Sequence, residues 1–141
     1  MNDTTKVEFC SKPWIAAARA YLLGESRDAD LTGVDVTFNE VFTDPPAHLD
    51  PDGVGRIGWY LRVTDGQVEV GEGILPHADL RLTVDYATVL PAARWLSSDP
   101  PLPEATQVAL GKAIQREGDA EAMAAVPWMA GLHDAMAVRT R

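Results

Sequence analysis

Apolar positions recur at two spacings along this chain, and the switches between them mark out its elements. Ser11 caps a helix whose first turn accepts Pro13, and Trp14, Ile15, Ala18, Tyr21 and Leu22 then share one face before Gly24 ends it. Val34, Val36 and Phe38 alternate as a strand until Glu40, after which the apolar phase shifts at Val41. A bulge near Asn39 is the expected cause of that slip. The run TDPPAHLDPDGVG holds three prolines and two glycines in thirteen residues, a composition that predicts a loop.

Asp65-Gly66 is the strongest local signal, because a two-residue type I′ turn needs positive φ at both central positions. Placing the turn there pairs Val63 with Val68, Leu61 with Val70 and Ile57 with Ile74 on one face. Trp59 then falls opposite Glu72, a mismatch expected at the rim where the buried face meets solvent. Leu80, Leu82 and Val84 alternate with Asp79, Arg81 and Thr83, which adds a half-buried strand to an antiparallel sheet with one wet face. Asp85 caps YATVLPAARWL, where Tyr86, Val89, Leu90 and Ala93 share a face and Pro91 is expected to kink or break the helix. After the loop SSDPPLP, a short helix spans Glu104 to Leu110, and Gly111 opens the strand KAIQRE. Gly118 and Asp119 stop that strand and cap a last helix, bent by Pro127, in which Ala122, Met123, Val126, Met129, His133 and Met136 recur at helical spacing.

Composition narrows what this arrangement can do. With 141 residues and a 46% hydrophobic fraction, the chain is one domain, spanning 1–141, large enough to bury a core. Twenty-one acidic against twelve basic residues give a net charge of −9, which repels phosphate backbones and argues against a nucleic-acid partner. No stretch approaches the ~20 apolar residues of a membrane span, so integral membrane association is not expected. The opening MNDTTKVEF lacks the regions of a secretory signal and the closing RTR is no recognised address, so a cytoplasmic location is expected. Cys10 stands alone and reads as an inert buried thiol.

Catalytic templates are missing from the sequence. No HExxH, CxxC or close His and carboxylate set supports a metal, and VALGKAI lacks the earlier glycine and the Ser or Thr of a phosphate loop. No cofactor is therefore expected. Ser97 and Ser98 have no nucleophile-elbow context. Asp44, Asp50 and Asp52 in the proline loop could form an acid and base pair, though acids there more simply confer solubility. His133, on the last apolar stripe, reads as a hydrogen-bonded core imidazole, with proton shuttling as the sharper alternative. What remains is apolar capacity. Trp14, Trp59, Trp95 and Trp128 accompany Met123, Met129 and Met136, a mixture suited to a pocket for hydrophobic guests and equally to plain core.

The order of the pieces carries a resemblance. A leading helix, a sheet with Trp59 through Gly66, the strand from Ala78-Asp79 through Leu82 entering the helix capped by Asp85, and Gly111-Lys112 through Gly118-Asp119 before a final helix together resemble the sterol carrier protein type 2 family over nearly the whole length. The resemblance implies an α+β fold in which a five-stranded, mostly antiparallel sheet carries helices on one face and encloses an apolar tunnel. It also implies binding or transfer of a fatty acyl, sterol or similar lipid without catalytic residues. The wall candidates are Trp59, Leu61, Leu82, Trp95, Met123, Trp128 and Met129, and the partner is a hydrophobic small molecule. Two alternatives stand beside it: a small isomerase or hydrolase acting on a lipid or steroid in the same pocket, and a homodimeric interaction module.

Overall fold

The computed structural model describes residues 5–141. Helix α1 (Lys12–Glu25) starts where Ser11 Oγ accepts the Trp14 amide, and it buries Trp14, Ile15, Ala18 and Leu22 as its spacing predicts. Strand β1 (Val36–Thr43) follows, then β2 (Arg56–Thr64), β3 (Gln67–Glu72) and β4 (Leu80–Asp85). Helix α2 (Tyr86–Ala93), capped by the Asp85 carboxylate on the Thr88 amide, leads through a proline-rich loop to α3 (Glu104–Ala113) and β5 (Gln115–Gly118). Two 3-10 turns (Ala120–Ala125 and Pro127–Gly131) and α4 (Leu132–Ala137) close the chain. The result is α+β, a five-stranded sheet in the order β3-β2-β1-β4-β5 with the helices over one face.

Asp65 and Gly66 hold φ of 53° and 75°, and the hairpin registers Val63 with Val68, Leu61 with Val70 and Trp59 with Glu72 as expected. The expected Ile57–Ile74 pair does not form. Gly73, at φ 128°, turns the chain out of β3, and residues 73–79 cross the outer face of the sheet to reach β4. Gly58 makes room for that crossing, since a Cβ there would lie 3.0 Å from the Gly73 carbonyl and 2.6 Å from that of Glu40. The crossing brings β4 in parallel to β1, so the sheet is mixed and its other three strand pairs are antiparallel.

The inner face holds the core. Phe38, Phe42, Trp59, Leu61 and Val63 pack there with Phe9, Trp14, Tyr86, Val126 and Met136. Trp59 meets Trp14 and Phe38 edge to face at 5.8 and 5.7 Å, so it lies in the centre of the core and not at a rim; Glu72 is the exposed member of that pair.

Four further expectations are corrected. No bulge occurs near Asn39, because both registers of β1 run unbroken from Phe38 to Phe42. Gly111 opens no strand, and α3 continues through it to Ala113 before β5 begins. Pro91 does not break α2, which runs through it to Ala93. The last helix is broken, not merely bent: the ring of Pro127 bars the helical region to Val126, which adopts φ −128° and ψ 61° between the two 3-10 turns.

Candidate functional site

The strict alternation of β1 puts Val36, Phe38, Glu40 and Phe42 on the inner face. Glu40 is therefore a carboxylate planted among core residues. Its register partner on β2 is Trp59, whose indole Nε1–H donates to Glu40 Oε1 at 3.0 Å. Among the described residues no second group is hydrogen-bonded to this carboxyl.

Beside Glu40 the packing leaves a cavity of about 270 Å³. Phe9 and Trp14 close one side, Val89, Ala92 and Ala93 of α2 another, and Met129, Ala130, Leu132 and Met136 a third, with His133 completing the lining. Glu40 is half-buried and belongs to the lining of this space. Apolar surroundings penalise the charged form, which pushes the Glu40 carboxyl up to about 7 against the opposing pull of the Trp59 hydrogen bond. A greasy hollow thus contains one carboxyl that exchanges its proton near neutrality.

The cavity is not the tunnel that the resemblance implies. Trp59, Leu61 and Val63 have no exposed surface, and their side chains fill the sheet–helix interface along β2. Of the seven wall candidates, Met129 lines the cavity, and Trp59 lies behind it holding Glu40. Leu61 is solid core. Leu82, the register partner of Glu40 on β4, packs with Met123 and Trp128 against the core as partly buried neighbours. Trp95 belongs to a separate surface hollow with Pro101, Leu102 and Gln107, its indole donating to the Pro100 carbonyl at 2.8 Å.

The polar candidates are mostly committed to structure. His133 is exposed rather than core, and its Nε2 donates to the Trp95 carbonyl at 2.6 Å, so that nitrogen carries the hydrogen. Ser97 donates its hydroxyl to the Asp134 carboxylate, and its amide reaches the same group at 2.9 Å, which ties the proline loop to α4. Asp50 accepts the amides of Val54 and Gly55 and thereby braces its own loop. Asp50 and Asp52 line a wider hollow of about 480 Å³ together with Lys12, Arg56 and Glu72, whose mixed charges make it a wet groove. Burial, with Glu40 and Glu72 nearby, pushes the Cys10 thiol well up and keeps it protonated. No group of three or more His, Cys, Asp or Glu among the described residues has the arrangement of a metal site.

Glu40 is the residue that sequence reasoning missed. Its signal was present as the alternation Val36, Phe38, Glu40, Phe42, which reads as a phase slip if every inner position is required to be apolar. Phe9, Val89, Ala92, Ala93, Leu132 and Met136 come to the site from distant parts of the chain and are joined only by the fold.

No helix among the described residues is long and apolar enough to cross a membrane. No protein-family model matches the sequence, and no curated protein does. Solved structures do. A conserved hypothetical protein from Thermus thermophilus, described as possibly a sterol carrier protein, superposes with a TM-score of 0.55 at 16% identity, covering 97% of this chain and 94% of that one. The sterol carrier protein domain 2 of Helicoverpa armigera gives 0.48 at 10% identity over 97% and 98% of the two chains. A crystal structure of sterol carrier protein 2 gives 0.48 at 15% over 86% and 94%. The Thermus superposition, with the strand order and the one-sided helical layer, carries the assignment: this chain folds as a sterol carrier protein type 2-like domain.

Proposed function

We propose that this chain binds a small hydrophobic molecule in the cavity beside Glu40 and shelters or transfers it. The observation that carries the reading is the cavity itself, an unfilled apolar space open to solvent on one side and walled by Phe9, Trp14, Val89, Met129, Leu132 and Met136 at the edge of the core. Its volume lies just under the ~300–1,000 Å³ of ordinary ligand pockets, so the guest is short: a medium-length alkyl chain or a small ring system in place of a whole sterol. Methionine adapts its shape, and Met129 and Met136 let the walls follow different guests. The description of the Thermus protein as possibly a sterol carrier supports the class of ligand.

Straight-chain alcohols of increasing length test this by titration against intrinsic tryptophan emission, since Trp14 lines the cavity. Burial of each methylene is worth about 0.8 kcal/mol, so affinity rises about fourfold per carbon until the space is full and then levels off. Emission that stays flat across the series contradicts the reading.

A second reading has one observation behind it. A carboxyl titrating at about 7 within an apolar site is suited to general acid–base work, which supports Glu40, in preference to His133 or the loop aspartates, as the acid–base group of the isomerase alternative. Exchange of the α-hydrogens of a small apolar ketone into deuterated water, lost in Glu40→Gln, supports it; exchange no faster than in buffer contradicts it.

A further inference from the structure

We propose that the cavity selects apolar molecules whose polar end donates a hydrogen bond, an alcohol or a protonated amine, with Glu40 as the acceptor. The inference rests on the binding reading above and adds the chemistry of the ligand's head.

Two observations and one electrostatic argument converge on it. Glu40 Oε1 is fixed by Trp59 at 3.0 Å, and no other described residue is hydrogen-bonded to the carboxyl, which leaves its remaining acceptor capacity turned to the cavity. The other walls are apolar apart from His133 at the margin, so a donor entering the hollow meets one strong acceptor. A carboxylate in low dielectric rejects a second negative charge, which disfavours fatty acids as their anions.

The surroundings of Glu40 bear on its charge. Of the titratable groups, Cys10 stands ahead of α1 and stays a neutral thiol, while His133 approaches from α4 with Nε2 held by the Trp95 carbonyl. From α2 the lining residues are Val89, Ala92 and Ala93, and Tyr86 gives its hydroxyl hydrogen to the Phe9 carbonyl at 2.7 Å. β2 contributes Trp59 and β4 contributes Leu82. Beyond Cys10, Glu72 at the end of β3 is the next acid on the inner face. Among these described neighbours no cation is paired with Glu40. Because its carboxyl ionises at about 7, selection strengthens as pH rises through neutrality.

The test compares 1-octanol, n-octylamine and octanoate, matched in length, by calorimetry on the whole chain at pH 8 and pH 5.5. At pH 8, octanol and the octylammonium ion bind about tenfold or more tighter than octanoate, and Glu40→Gln brings the three within about threefold. In the unaltered protein octanoate binding strengthens at pH 5.5, where Glu40 is neutral, and the gain is smaller in Glu40→Gln, where only the ligand's own protonation contributes. A larger gain for the amine than for the alcohol identifies ion pairing, and an equal gain identifies neutral donation; both support the proposal. Equal binding of all three at pH 8, or a preference unchanged in Glu40→Gln, overturns it while leaving the cavity reading standing. Failure of all three to bind overturns both.

Discussion

Asn39 and Glu40 are neighbours on the central strand, both polar and both drawn into the protein, and they point to opposite faces of the sheet. On the outer face Asn39 is fully buried with its amide satisfied: Nδ2 donates to the carbonyls of Trp59 and Gly73 at 2.8 and 3.2 Å, and Oδ1 accepts the Leu75 amide at 2.9 Å. It clamps the crossing segment 73–79 onto the sheet. On the inner face Glu40 has one hydrogen bond and an adjoining hollow. A buried polar group whose partners are all supplied by the chain is serving the fold. One whose partners are left incomplete beside an empty space is available to a ligand.

The largest effect separates the two by stability. Asn39→Leu strips three hydrogen bonds from buried backbone groups and costs about 3–5 kcal/mol, measured by urea unfolding. A loss below about 1 kcal/mol would remove the clamp from this account. Glu40→Gln has the opposite sign. The folded carboxyl titrates at about 7 against 4.5 for the free group, so its contribution is fully present below pH 4.5 and is lost as pH rises through 7. The glutamine variant is therefore more stable by about 3 kcal/mol at pH 8, and the difference closes near pH 4. Unfolding curves of the two proteins that keep a constant separation over this range would refute it.

Trp59→Phe sharpens the contrast further. It removes the donor that favours the ionised carboxyl, so the carbon-13 carboxyl resonance of Glu40 titrates at higher pH than in the unaltered protein, with about 1–2 kcal/mol lost from folding. A lower or unmoved midpoint counts against the assignment. The smallest effect is a control: Trp95→Ala, in a different hollow, leaves alcohol affinity within about twofold by the same fluorescence titration. A tenfold loss would mean that the two hollows act as one.

What could be read in advance follows the range of the forces involved. The Asp65-Gly66 turn sets the β2–β3 register by local geometry, and Ser11 and Asp85 cap the helices they precede, so these elements stand as the residues predict. The inner positions of β1 were harder, because Asn39 and Val41 are buried on the outer face beside a segment that returns from more than thirty residues later. A pattern with apolar residues on both faces hides its own phase, and Glu40 disappeared into the apparent slip. Pro127 was visible, yet whether it bends or breaks a helix depends on what the packing of Val126 and Leu132 supports. Met129 is within reach of a methionine stripe; Val89 and Ala93 show in the sequence as an apolar helix face, but nothing local says that this face borders a cavity.

The most direct measurement is a methyl spectrum of the protein labelled with carbon-13 at its methionine methyls, recorded as 1-octanol is added. Met129 and Met136 line the cavity, while Met123 packs elsewhere against the core. Saturable shifts of the Met129 and Met136 methyls are expected, with Met123 nearly still. Methyls that do not move at millimolar octanol, or that all drift together without saturation, would contradict binding in this cavity.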